Sequence, residues 1–307
     1  MNIIKSTLAV VCFLLPTISF AQTSEQFVSS KNTGNAFVFT QASVTVPMLV
    51  DSLDYAGVLH ASHNLKEDIG RVTGKQPGYF LNTIPPHNTQ LVVIGTVGKS
   101  SFIDRLIKEN KLDGKELAGK HEKHIITTIE NPLEGIDKAL VIAGSDKRGT
   151  IYGIYELSNQ IGVSPWYYWA DVPVKKQTNL YIIPGIYTDG EPAVKYRGIF
   201  LNDEAPALSG WSSETFGGFN SNFYEKVFEL ILRLKGNLIL PAMWGNAFYD
   251  DDPANGLLAD EMGIVTGTSH HEPLGRAHDE WKRYGSGAWD YNANANVLTD
   301  FWTGGME

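Results

Sequence analysis

Apolar and polar positions along the chain fall into two regimes. Over residues 23–185, short apolar runs alternate with amphipathic stretches. The pattern predicts a strand over 37–40 and a helix over 52–72, with Leu53, Ala56, Leu59, Leu65 and Ile69 on one face. Residues 91–95 are continuously apolar, which predicts a strand covered on both faces. Residues 124–129 alternate, as a half-buried strand does. A second covered strand over 139–143 ends at Gly144-Ser145-Asp146, where Ser145 or Asp146 can cap a helix running to about Ile161. A strand over 179–183 closes this part.

From about Val194 the rhythm becomes strand, polar tip, helix. A strand over 194–201 ends in Asn202, Asp203 and Glu204. The helix over 223–234 spaces Phe223, Val227, Leu230, Ile231 and Leu234 for one apolar face, and Gly236 reads as its left-handed stop. A strand over 238–244 leads to Trp244, Asn246 and Asp250-Asp251-Asp252. A helix over 257–262 is stopped by Gly263. A third strand over 264–269 runs into His270, His271 and Glu272, followed by helices over 274–284 and 297–302. Three β-then-α units in a row predict a parallel sheet or barrel with right-handed crossovers. In such folds the chemistry sits where strands end and loops begin. Aromatic rings beside carboxylates and amides suit a sugar, whose apolar faces stack on rings while its hydroxyls bond to polar groups.

Composition sharpens the division. All seven tryptophans lie after residue 165. The formal net charge of −9 lacks the basic surface that nucleic acid requires, so no nucleic-acid partner is expected. Lys5, an apolar stretch over 8–20 and Ser19-Phe20-Ala21 read as a signal peptide over 1–21, cleaved before Gln22. The stretch is too short for a membrane span, which points to export into the periplasm or beyond. The single cysteine, Cys12, lies inside that signal, so disulfides play no part in the fold.

Several motifs resolve to plain readings. Gly95-Thr96-Val97-Gly98-Lys99-Ser100 has Gly-Lys-Ser after a strand, but its glycines are too close to wrap a phosphate. Gly144 to Gly149 lacks the Gly-Lys-Ser/Thr ending. Both read as strand-to-helix turns, and no cofactor is expected. His270 and His271 are adjacent on a strand and point to opposite faces, and residue 275 is glycine where a zinc helix needs histidine. No metal is expected. Asp250-Asp251-Asp252 lacks the closing glutamate of a calcium loop and reads as a solvated cap for the following helix. Asp203 and Glu204 also admit a reading as turn residues, and Trp281 one as packing.

The motifs Tyr196-Arg197-Gly198-Ile199-Phe200-Leu201-Asn202-Asp203-Glu204, Pro241-Ala242-Met243-Trp244, Asp251-Asp252-Pro253 and the run from Ala259 through His270-His271-Glu272-Pro273 resemble glycoside hydrolase family 115. So do Gly144 to Ser158 and Pro165-Trp166-Tyr167. The resemblance implies an inverting α-glucuronidase that removes glucuronic acid or its 4-O-methyl ether from glucuronoxylan or xylo-oligosaccharides. Inversion needs an acid and a base roughly 6.5–9.5 Å apart. It further implies substrate-binding roles for Asn202, Asp203 and His271, a supporting catalytic role for Asp203, and a homodimer of the full-length enzyme. Trp244 is a sugar platform by position.

The fold class expected is α/β. A small N-terminal α/β domain over 22–190 is followed by the first three or four units of a (β/α)8 barrel over 194–307. From Lys195 to Glu307 is less than half of the roughly 250 residues such a barrel takes. The barrel is therefore expected to be incomplete, the principal acid and base to lie beyond residue 307, and the chain alone to be inactive and aggregation-prone. The competing readings are a non-catalytic xylan-binding protein and a glycosidase of other specificity.

Overall fold

The computed structural model describes residues 25–268 and 272–306. The stretch read as a signal peptide, His270 and His271 lie outside the described residues. Among the described residues, thirteen strands form three sheets. The strands are β1 (Val28–Ser29), β2 (Phe37–Gln41), β3 (Val44–Thr45), β4 (Met48–Val50), β5 (Tyr79–Leu81), β6 (Gln90–Thr96), β7 (His124–Glu130), β8 (Lys138–Gly144), β9 (Leu180–Ile182), β10 (Ile186–Tyr187), β11 (Gly198–Phe200), β12 (Leu238–Leu240) and β13 (Val265–Thr266). The helices are α1 (Ala56–Thr73), α2 (Ser101–Lys108), α3 (Lys147–Gln160), α4 (Ala207–Phe216), α5 (Ser221–Arg233), α6 (Phe248–Asp251), α7 (Ala254–Met262), α8 (His278–Tyr284) and α9 (Tyr291–Thr303).

The largest sheet has the order β10-β7-β8-β6-β4-β5. Strands β5, β4, β6 and β8 are parallel, β7 runs against them, and the edge strand β10, antiparallel to β7, runs with them again. Its runs read as continuously apolar because both faces are covered. Val92, Ile94, Leu140 and Ile142 face the α1–α3 side, while Leu91, Val93, Val141 and Ala143 face α2. Strand β7 is more deeply buried than the alternation predicts, since it lies inside the sheet between β8 and β10.

Two turns follow the cap chemistry read from sequence. Asp146 accepts from the Gly149 amide at the start of α3 (2.8 Å), and Ser100 caps α2. Helix α3 lies between the large sheet and α5. It is therefore buried nearly all round, down to Thr150, Glu156 and Ser158. One apolar core runs from β2, β4 and β6 through α1 and α3 to Phe223, Phe228 and Ile231 of α5 and on to Ile239 and Ile264.

The third sheet has the order β11-β12-β13, parallel throughout. The fold class is thus mixed α/β, as expected. The strands are shorter than their apolar runs, because the runs continue past the last ladder bonds into the polar tips. Helix α1 starts at Ala56, and Leu53 is exposed outside it, contrary to its assignment to the buried face. Lys235, not Gly236, takes the left-handed position after α5 (φ 58°). Its ammonium bonds Glu156 (2.6 Å) and Asp189, which holds it there. Gly236 is required for space: a Cβ would lie 2.9 Å from Ile231 Cγ2 and 3.0 Å from the Arg197 carbonyl.

Gly198 is the tightest point of the parallel sheet. A Cβ there would fall 1.8 Å from the Leu238 carbonyl oxygen, and backbone cannot yield as a flexible side chain does. Gly198→Ala is expected to lower stability by about 1–3 kcal/mol, read by chemical denaturation. An unchanged midpoint would contradict the close β11–β12 approach.

Candidate active site

Because β11, β12 and β13 are parallel and in register, their C-terminal ends open on one side. The ladder continues to Leu201, whose amide donates to the Leu240 carbonyl (2.9 Å), so Asn202 and Asp203 follow directly at the rim. Asp203 is buried, whereas Asn202 is exposed. Asp203 Oδ2 accepts from the Trp244 amide and from Asn246 Nδ2, both at 2.9 Å. These bonds tie the end of the first strand to the loop after the second. Asp203 Oδ1 is buried and accepts no hydrogen bond among the described residues. Trp244 is 57% exposed at the rim. Tyr224 of α5 lies beneath, its hydroxyl accepting from the Ala242 amide (3.2 Å). Burial pushes that phenol upward, and Asp203, Asp251 and Glu272 push it further.

The third strand contributes Glu272, which is 4% exposed. Its Oε1 accepts from the His278 amide (3.2 Å), and its carbonyl accepts from Thr268 Oγ1 (2.5 Å). Burial pushes the Glu272 carboxyl up to about 7; the His278 amide opposes this, and the Glu280, Asp279 and Asp203 charges add to it. Asp279 pairs with Lys282 through Oδ1 (2.8 Å), and its Oδ2 is buried without a bond. Glu280 takes Arg276 (2.7 Å) and the Ala277 amide (3.0 Å). The arrangement supplies a fixed carboxylate, a second carboxyl that holds its proton near neutrality and an aromatic face.

The structure brings together Asp203, Asn246 and the Trp244 backbone. It leaves Asn202 in solvent, and His271 lies outside the described residues. Asp279 carried no sequence signal, because its position reads as an ordinary first turn of a helix. The acidic run resolves as a cap: Asp252 accepts from the Ala254 and Ser221 amides, and Asp250 and Asp251 hold Arg283. Trp281 is buried, packed against Trp289 and Phe301.

The parallel sheet presents carboxylates and an indole at its strand ends, the groups a sugar site uses. The family is one step further: residues 189–307 match the model of glycosyl hydrolase family 115, and over that stretch the chain belongs to it. A solved family-115 structure is similar along most of the chain. It is BtGH115A, a 4-O-methyl-α-glucuronidase with specificity for decorated arabinogalactans, 32% identical, with a TM-score of 0.73 over 87% of this chain. The match covers 34% of that structure, so this chain spans about a third of its length. A Flavobacterium johnsoniae chitobiase is 13% identical over 78% of this chain and 33% of its own, with a TM-score of 0.40. No curated protein matches the chain. No helix among the described residues is long and apolar enough to cross a membrane.

Proposed function

We propose that the chain carries the front of an inverting α-glucuronidase that removes glucuronic acid or its 4-O-methyl ether from polysaccharide side chains, with xylan as the polymer. In this reading β11, β12 and β13 are the first strands of a (β/α)8 barrel, and Asp203, Asn202, Trp244 and His271 line its sugar site. The principal acid and base come from later strands. Export to the periplasm or beyond, and a dimer of the whole enzyme, belong to the same reading.

The observation that carries it is the Asp203 carboxylate, fixed by the Trp244 amide and Asn246 beside an exposed indole, inside the family-115 stretch. A rigid acceptor next to a stacking face is what holds a sugar ring in one orientation. The similar structure's decorated arabinogalactan supplies the rival polymer.

The test reads uronic acid released from glucuronoxylan and from uronate-decorated arabinogalactan, by this chain and by the product of the full reading frame. Release from xylan is the expected result. Release from arabinogalactan alone overturns the polymer, and release from neither, even with binding, overturns the activity. With an active product, Trp244→Ala is expected to raise KM about tenfold with little change in kcat, as loss of a stacking platform does. An unchanged KM would remove Trp244 from the site.

A further inference from the structure

The strands of the third sheet are short: three residues in β11 and in β12, two in β13. Ladders of that length specify their register weakly, and a slip of one residue turns every side chain to the other face. The site depends on that register. Asp203 and the Trp244 amide stand on adjoining strands, just past the bond from Leu201 to Leu240. The groups that hold the strands lie at their opposite ends. Arg197, directly before β11, and Asn237, directly before β12, both donate to the carboxylate of Glu122, through Nη2 (2.5 Å) and Nδ2 (2.7 Å). Arg148 of α3 reaches the same carboxylate (2.5 Å) and donates to the Gly263 carbonyl (3.2 Å), two residues before β13. One buried carboxylate thus gathers the starts of the strands whose other ends carry the site.

Glu122 itself is seated by the large sheet. It lies in the turn before β7. Its amide donates to Asp146 Oδ2 (2.9 Å) and the Lys123 amide to Ser145 Oγ (3.1 Å), both just past the end of β8. Its backbone is left-handed (φ 53°), which strains a non-glycine residue and persists only where the surroundings dictate it. A glycine would relieve that strain and lose the carboxylate. What offsets the strain is what the side chain holds: two guanidinium groups and an amide, around a residue only 7% exposed. We propose that Glu122 is a positioning residue for the strand-end site: seated on the large sheet, it fixes the starts of β11 and β12 directly and of β13 through Arg148, and so sets Asp203 against the Trp244 amide. The sugar site then takes its geometry from a residue outside its own sheet. Arg197 and Asp203 are six residues apart, up to roughly 20 Å of extended chain, so the effect travels along the strands. The role rests on the reading of Asp203 and Trp244 as site residues given above.

The test needs no turnover. Amide hydrogen exchange is followed by NMR in the unmodified chain, in Glu122→Gln and in Asp54→Asn. Glutamine keeps the size of the side chain but offers one acceptor oxygen in place of two. Asp54→Asn loosens the large sheet itself, where Asp54 Oδ2 accepts from the Thr96 amide (2.7 Å), and so controls for a general loss of stability. In Glu122→Gln the Leu201 and Trp244 amides are expected to shift and to exchange about tenfold faster relative to the amides of β6 and β8. In Asp54→Asn that ratio should hold. The proposal is overturned if the ratio stays unchanged in Glu122→Gln or rises as much in Asp54→Asn. Should Glu122→Gln fail to fold, Arg148→Ala decides, because that side chain is 30% exposed. It should free β13 alone: the Gly267 amide, which donates to the Ile239 carbonyl (2.9 Å), exchanges faster while Leu201 holds. A Gly267 amide that does not respond overturns the proposal too. Absent uronate release with these exchange changes intact would remove the functional reading and leave the clamp standing. Release from the active product with unchanged exchange in Glu122→Gln would remove the clamp alone.

Discussion

Replacing Arg233 with alanine is expected to destabilise the chain by about 3–5 kcal/mol, the loss that follows when one partner of a buried ion pair is removed. The Arg233 side chain is 2% exposed. Its Nη2 lies 2.8 Å from Asp68 of α1 and its Nε 2.8 Å from Glu229 of α5. The guanidinium lies over the rings of Tyr155 (4.5 Å) and Tyr167 (5.0 Å). Tyr167 in turn donates to Glu229 (2.9 Å), and Arg71 takes the other oxygen of Asp68 (2.7 Å). The cluster therefore stitches α1 and α3, on the large sheet, to α5, beneath the strand-end site. Removing the cation leaves Asp68 buried with only Arg71, and burial already pushes its carboxyl upward. An Arg233→Met, Asp68→Leu, Glu229→Leu triple replacement should cost much less, because well-packed apolar groups of similar volume need no solvation. Urea denaturation separates the cases. A loss below about 1 kcal/mol for Arg233→Ala would show that the cluster is not desolvated in solution.

That cluster was not legible in the sequence, and the reason is physical. Asp68, Glu229 and Arg233 occupy helical positions where a charge usually faces solvent, and only the packing of α1 and α3 on α5 closes water out. The strands and helices themselves were legible, because their signals are local: the apolar run over 91–95, Asp146 three residues before Gly149, Gly263 after Met262. Where local signals and structure part, the cause is local as well. Gly236 reads as left-handed because glycine adopts that backbone freely, whereas the chain uses it for a close approach and lets Lys235 take the strained position. Leu53 fits the helix face by spacing, but spacing alone does not show where the first turn begins. At the site, Asp203 and Trp244 were visible as polar and aromatic tips of apolar runs. The bond from the Trp244 amide to Asp203 was not, since it depends on β11 and β12 being parallel neighbours in one register. Asp279 and the special standing of Glu272 emerge only from the crowding of carboxyls that the third strand and α8 create together.

Glu272→Gln is expected to stabilise the chain above neutral pH and to leave it nearly unchanged in acid. The folded carboxyl sits at about 7 against an ordinary 4.5. Below the ordinary value both folded and unfolded chains carry the proton, and burial of the neutral acid is undisturbed. Between the two values the unfolded chain ionises and the folded chain does not, so stability falls as pH rises. Above about 7 both are ionised and the folded state bears the full cost of a buried, uncompensated charge. The shift amounts to about 3 kcal/mol across that window. Glutamine keeps an oxygen to accept the His278 amide, has no proton to lose, and should show a flat profile over the same range. Denaturation midpoints at about pH 4 and about pH 8 for the two chains decide the matter: equal differences at both pH values would mean that Glu272 ionises as it does in water. The expected sign bears on function. Three neighbouring carboxyls hold cations or several donors, and a neutral amide at position 272 would serve the fold better than the acid does. Glu272 is thus kept at a cost to stability above neutral pH, the kind of local conflict found where a fold serves a site.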